Sequence, residues 1–266
     1  MNARGWLLVL VVGTLIPGWS TADEPQSAAE ALKKGGQLLS AGDSDGAIAA
    51  YTEAIRLNRK DHTAYVDRAV AYAHTGRPDE AIADLTKAIE ISPKLPLAYC
   101  NRANVFVGKG DYDKAIADCS EAIRLDPNSA TAHYNRGMAY GKKGDFDKEI
   151  EDYSEAIRLD PKNATSYFDR AITYAHTNRL DEAIADFTEA IRLDPQNATM
   201  YYSRGVACGM KGDFDKAIAD FSEAIRLDPE NAQAYHDRGV AYEKKDEKAK
   251  AEEDFAQAEK LGDKAK

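Results

Sequence analysis

An all-α solenoid is the fold class this sequence predicts. Three observations predict it: a 34-residue period, two apolar stripes at helical spacing inside each period, and a Gly or Asn between the two stripes. The period runs without slippage through Arg68, Arg102, Arg136, Arg170, Arg204 and Arg238, and through Asp84, Asp118, Asp152, Asp186, Asp220 and Asp254. A fixed repeat of this size implies supersecondary units that bury their apolar faces only by stacking on one another. Seven copies fit, at 28–61, 62–95, 96–129, 130–163, 164–197, 198–231 and 232–265.

The first half of each copy predicts one helix. In the sixth, Tyr201, Gly205 and Cys208 fall on one stripe, and in the fifth the same stripe is Tyr167, Ala171 and Tyr174. Ser129, Asn163, Asn197 and Asn231 stand where this helix needs an N-cap, because a short side-chain oxygen satisfies free backbone N–H groups there. Leu95 breaks that series, but Pro96 follows it and is suited to a first helical position. The turn slot holds Gly42, Gly76, Gly110, Gly144, Asn178 and Gly212, the residue types that adopt a left-handed backbone most readily.

The second half predicts the returning helix. Asp213 suits its start and Pro78 its first turn, while Ala217, Phe221, Ala224, Ile225 and Leu227 form its apolar face. Leu227-Asp228-Pro229 closes it, since proline cannot continue a helix. The Arg and Asp series lie 16 residues apart, and the first copy lacks both, with Lys34 and Ala50 in those slots. This paired loss predicts an Arg136–Asp152 clamp between the two helices, repeated in each sister copy. Glu121/Arg124, Glu155/Arg158, Glu189/Arg192 and Glu223/Arg226 predict i,i+3 surface pairs, and in the second copy both signs reverse to Lys87 and Glu90.

The unit resembles the tetratricopeptide repeat (TPR). Its length, the Tyr–Gly–Tyr spacing of the first helix, the Ala–Phe–Ala spacing of the second and the closing Pro all match, over nearly all of residues 28–265. One departure is regular: Arg stands before the Gly/Ala slot of the first helix in six copies, where a large apolar residue is expected. The resemblance implies a right-handed superhelix of seven helix hairpins.

Residues 1–22 predict a targeting segment: a basic start at Arg4, an apolar run from Trp6 to Ile16, Pro17-Gly18, then Ser20-Thr21-Ala22 before Asp23. The run is short of the roughly 20 residues a bilayer requires. Cleavage leaves no stable membrane span, and retention would leave an anchor. The protein is thus expected to be exported, to a periplasm or the cell exterior, with 23–27 as a short polar lead. Net charge goes from 35 − 45 = −10 to 34 − 45 = −11 when residues 1–22, which hold one Arg and no acid, are removed. So acidic a chain disfavours nucleic acid and favours basic or neutral partners.

No arrangement for catalysis stands out: the sequence offers no phosphate loop or nucleophile elbow, and its five His do not converge. No cofactor or metal is expected. Asp43-Ser44-Asp45-Gly46 reads as a turn, because no Glu closes a calcium loop after it. Cys100, Cys119 and Cys208 read as free thiols, with Cys100–Cys119 the one conceivable pairing. Glu149 stands where every sister copy has Ala, so it either reaches outward or is met by Arg136 or Arg170. The first and last copies look like caps; Ile218 and Ile225 become Glu252 and Glu259 in the seventh.

The far face of the first helix carries Val66, Cys100, Tyr134, Phe168, Tyr202 and His236, edged by Asp67, Asn101, Asn135, Asp169, Ser203 and Asp237. One turn on come Asn104, Met138 and Ile172. In the TPR family this face lines a concave groove, so the resemblance implies binding of a peptide segment or protein partner there. The candidate groove residues are Asp67, Asn101, Asn104, Tyr134, Asn135, Met138, Phe168, Asp169 and Tyr202. The subtype that holds a C-terminal carboxylate is not matched: Cys100 and Tyr134 stand where its Lys is expected, and Asp169 where its Arg is. A non-catalytic scaffold is the expected function. The alternative is an assembly module that associates through its convex face or its ends, and the sequence leaves the oligomeric state open.

Overall fold

The computed structural model describes residues 27–264, so the expected targeting segment at 1–22 lies outside the described residues. Fourteen α-helices and no strand occur among the described residues. The chain divides into two compact units, Met1–Pro93 and Lys94–Lys266.

The first unit contains α1 (Ala28–Ser40), α2 (Ser44–Leu57), α3 (His62–His74) and α4 (Pro78–Ile91). The second contains α5 (Pro96–Lys109), α6 (Tyr112–Leu125), α7 (Ala130–Lys143), α8 (Phe146–Leu159), α9 (Ala164–His176), α10 (Leu180–Leu193), α11 (Ala198–Lys211), α12 (Phe214–Leu227), α13 (Ala232–Lys244) and α14 (Lys248–Lys264). Odd-numbered helices lead each hairpin and even-numbered helices return. Within each unit every hairpin packs on the next, which makes each an all-α repeat solenoid.

Local chemistry sets the helix ends. The side chains of Ser129, Asn163, Asn197 and Asn231 accept from the backbone N–H groups of Ala132, Ser166, Thr199 and Ala234. Leu95 makes no such bond, and Pro96 begins α5. The turn slot is left-handed wherever it was expected, with φ of 86° at Gly212 and 61° at Asn178. Asp246 takes the same conformation, at φ 61°, in the seventh copy.

Small residues let the helices approach closely. In the fifth copy Ala171, Ala183 and Phe187 form one buried cluster with Ala207 of the sixth. Burial of one large side chain such as Phe187 contributes about 1.5–3 kcal/mol. Ala171 faces Phe187, but opposite Tyr51, Tyr153, Phe221 and Phe255 the same slot is Gly, and a Cβ on Gly205 would lie 2.8 Å from the Phe221 ring.

The interhelix clamp is present in six copies. Arg170 Nε and Nη2 donate to the two Asp186 oxygens at 2.7 and 2.9 Å. Equivalent pairs join Arg68–Asp84, Arg102–Asp118, Arg136–Asp152, Arg204–Asp220 and Arg238–Asp254. The third guanidinium nitrogen reaches across the repeat boundary: Arg170 Nη1 donates to Ser154 Oγ of α8 at 2.8 Å. Arg68, Arg136, Arg204 and Arg238 do the same to Thr52, Ser120, Thr188 and Ser222. The Arg that displaces the usual apolar residue therefore ties a leading helix to both its own returning helix and the preceding one. Tyr167 and Tyr174 flank the Arg170 guanidinium, with centroids 5.9 and 5.7 Å away. The expected surface pairs also form, including the sign-reversed Lys87–Glu90 at 2.9 Å.

Candidate functional site

The leading helices of the second unit share one face, and most of the candidate residues lie on it. Tyr134, Phe168 and Tyr202 are half-buried. Each ring leans on the aromatic of its own returning helix: Tyr134 on Tyr153 at 5.4 Å, Phe168 on Phe187 at 5.6 Å and Tyr202 on Phe221 at 5.8 Å. His236 repeats the contact on Phe255 at 5.5 Å. One face of each ring is thus committed to the repeat core.

A diagonal polar contact joins neighbouring leading helices. Tyr134 Oη donates to Asp169 Oδ2 at 2.5 Å, and Tyr202 Oη donates to Asp237 Oδ2 at 2.7 Å. Burial and the adjoining carboxylates push both phenols well above their ordinary range. Where the ring is Phe168 and has no hydroxyl, the diagonal slot is Ser203. Column-by-column reading of the repeats missed this pairing, although the Tyr/Asp and Phe/Ser matching at a separation of 35 was available to find it.

The short polar residues divide. Asn104 is exposed and Asn101 half-buried. Asn135 departs from expectation: it is only 5% exposed, and its Nδ2 makes no hydrogen bond. With so little surface exposed, it offers a guest chain almost no contact. Asp169 is engaged by Tyr134, and burial raises its carboxyl above the usual range. Asp67 lies in the first unit, half-buried, and burial together with Asp61 raises its carboxyl likewise.

Large apolar side chains nevertheless remain open on this face. Leu97, Ile172 and Met210 are 56, 44 and 58% exposed, and their slots share one stripe of the leading helix. Met138 and Ile172 line a cavity of about 450 Å³ at the boundary of the fourth and fifth copies, together with Phe146, Glu149, Tyr153 and Asp169.

Glu149 corrects both sequence alternatives. It neither reaches outward nor meets an Arg; it is 9% exposed and lines that cavity. Burial raises its carboxyl above the usual range, against the opposing effect of the Thr173 and Tyr153 hydroxyls. Two neighbours accommodate it. A Cβ on Gly141 would lie 2.1 Å from Glu149 Oε1. Thr173 supplies a hydroxyl in a slot held by Gln37, Ala71, Val105, Ala139, Ala207 and Ala241 elsewhere.

Cys100, Cys119 and Cys208 are buried free thiols. Burial raises Cys100 to about 11 and Cys119 to about 12, which suppresses the reactive thiolate. No group of His, Cys, Asp and Glu suited to a metal occurs among the described residues, and no described helix is long and apolar enough to cross a membrane.

Family models described as TPR repeat match residues 103–144 and 210–246. Models described as tetratricopeptide repeat match 25–96, 137–198, 168–220 and 232–261. Among solved structures, YrrB, a TPR protein with an unusual peptide-binding site, is 26% identical over 71% of this chain and 97% of its own, with a TM-score of 0.59. MamA is 27% identical over 62% of this chain and 96% of its own, with a TM-score of 0.56. A tetratricopeptide repeat protein from Parabacteroides merdae ATCC 43184 has the same fold, with 24% identity, coverage of 90% and 94%, and a TM-score of 0.66.

Proposed function

The chain belongs to the tetratricopeptide repeat family, and on that premise we propose that it is a non-catalytic exported scaffold that binds a peptide segment or protein partner on its leading-helix face. The observation that carries this reading is the open apolar stripe of the second unit, where Leu97, Ile172 and Met210 stand exposed beside the half-buried rings of Tyr134, Phe168 and Tyr202. Large exposed side chains on one face, bordered by polar groups, supply the anchors that a bound segment needs. That YrrB is described as having a peptide-binding site supports the same use of the fold. The net charge of −10 favours a basic or neutral partner over nucleic acid.

The test leaves the rings alone, because Tyr134 and Phe168 also hold the repeats together. Ile172→Asp with Met210→Asp places two charges on the open stripe. This pair is expected to leave the helical circular dichroism spectrum unchanged and to abolish recovery of crosslinked partners from the extracytoplasmic fraction. Undiminished recovery would refute the assignment, and oligomers by light scattering with unchanged recovery would point to the assembly role. Export rests on residues 1–22. N-terminal sequencing of the protein purified from its host is expected to begin at Asp23; an intact Met1 in the cytoplasmic fraction would contradict it.

A further inference from the structure

We propose that the cavity at the boundary of the fourth and fifth repeats is a pocket for the cationic side chain, lysine or arginine, of a segment lying on the leading-helix face. The inference rests on the binding role proposed above and names the chemistry that one position of the guest must carry.

The walls suit the stem of such a residue. Met138, Phe146 and Ile172 line the cavity, and about 450 Å³ accommodates a long side chain. A lysine or arginine buries its methylenes against apolar surface while its charged end seeks a partner. The interior supplies that partner twice, through Glu149 and Asp169.

Glu149 and the half-buried Asp169 differ from the buried aspartates of the second unit. Asp118, Asp152, Asp186, Asp220 and Asp254 each hold an arginine. Glu149 and Asp169 form no ion pair among the described residues; the hydroxyls of Tyr134, Tyr153 and Thr173 are their hydrogen-bonding neighbours, and the His176 imidazole lies near enough to Glu149 to oppose in part the rise of its carboxyl. Lys142 and His176 also line the cavity, and both are exposed. The His176 ring packs on Phe146 with centroids 4.7 Å apart. Burial holds both carboxyls above their usual range, and each adds to the burial that disfavours ionisation of the Tyr153 phenol beside them; among the described residues no cationic side chain is bound to either carboxylate inside the cavity.

The sequence has built this position rather than drifted into it. Glu149 alone replaces an Ala found in six sister slots, Gly141 leaves space for its carboxylate, and Thr173 adds a hydroxyl beside it. Two departures found in no sister copy, Glu149 and Thr173, meet at one repeat boundary beside a Gly that only the sixth copy shares, and they are costly for stability alone, since a buried acid without a cation is unfavourable. A guest cation reverses that cost.

The test uses the full chain and a displayed library of random short peptides. Selected peptides are expected to share one lysine or arginine position. Replacing that residue by methionine should weaken binding by about 30-fold or more, and Glu149→Gln should do the same to the unaltered peptide. Together the two changes should weaken binding no further than either alone. Asp169→Asn, which keeps an acceptor for Tyr134, provides a second variant with the same expected direction. Peptides without a shared basic position, or indifferent to both variants, would overturn the pocket while leaving the binding face standing if Ile172→Asp with Met210→Asp still abolishes their capture. Peptides indifferent to that exposed pair would overturn the binding face and the pocket together, and a library yielding no binder would overturn the pocket.

Discussion

Replacing Asp186 by alanine is expected to lower the unfolding free energy by about 3–5 kcal/mol, the cost of stranding a buried guanidinium. Arg170 and Asp186 expose only 16% and 11% of their side chains, and the pairing is two-pronged. The guanidinium also holds Ser154 on the preceding hairpin, so the loss should spread to the boundary between the fourth and fifth repeats. Urea unfolding followed by circular dichroism measures it. Glu189→Ala, which breaks an exposed pair with Arg192 in the same helix, is the control and should leave the midpoint within error. Replacing both clamp partners by apolar residues, Arg170→Met with Asp186→Leu, should recover much of the loss, because the penalty lies in the unpaired charge. A midpoint for Asp186→Ala equal to that of Glu189→Ala would show that the clamp is ornamental.

Much of this architecture is legible because its rules are local or strictly periodic. Gly212 and Asn178 announce left-handed turns from backbone sterics alone, and Asn197 announces a cap. The Arg–Asp clamp is legible for a different reason: the first copy loses both partners together, at Lys34 and Ala50. What stays hidden depends on contacts between copies. The Ser154 hydroxyl belongs to one repeat and its Arg170 partner to the next. Tyr134 and Asp169 likewise face each other one period and one residue apart. Burial of Asn135 follows from how closely helices pack, which no residue type specifies. The division at Pro93 falls where Ser92-Pro93-Lys94-Leu95 replaces the Asp–Pro–x–Asn or Asp–Pro–x–Ser ending of the later internal copies, a change the sequence shows as a missing cap and nothing more.

Glu149 gives the sharpest test of how far one repeat can borrow from another. Moving the acid alone to the equivalent slot of the fifth copy, Ala183→Glu, is expected to destabilise the protein by about 3 kcal/mol or more, from overpacking together with burial of an uncompensated carboxylate. Ala183 is wholly buried and its cluster includes Ala207, while Ala175 packs against it. The slots that Gly141 and Thr173 fill beside Glu149 are thus Ala175 and Ala207 here, with no space and no hydroxyl. Adding Ala175→Gly and Ala207→Thr should restore a large part of the loss, and failure to do so would separate Glu149's accommodation from its two neighbours. The native acid carries a pH signature of its own. A carboxyl raised by burial leaves stability untouched below its unfolded value, 4.5, and costs it in full once the pH exceeds its folded value. Glu149→Gln should therefore stabilise the protein at neutral pH, and that advantage should vanish as the pH falls below about 4.5. An advantage that persists unchanged into acid would mean that the side chain's shape, not its charge, sets the penalty. The cavity would then hold a misfit residue in place of a waiting anion.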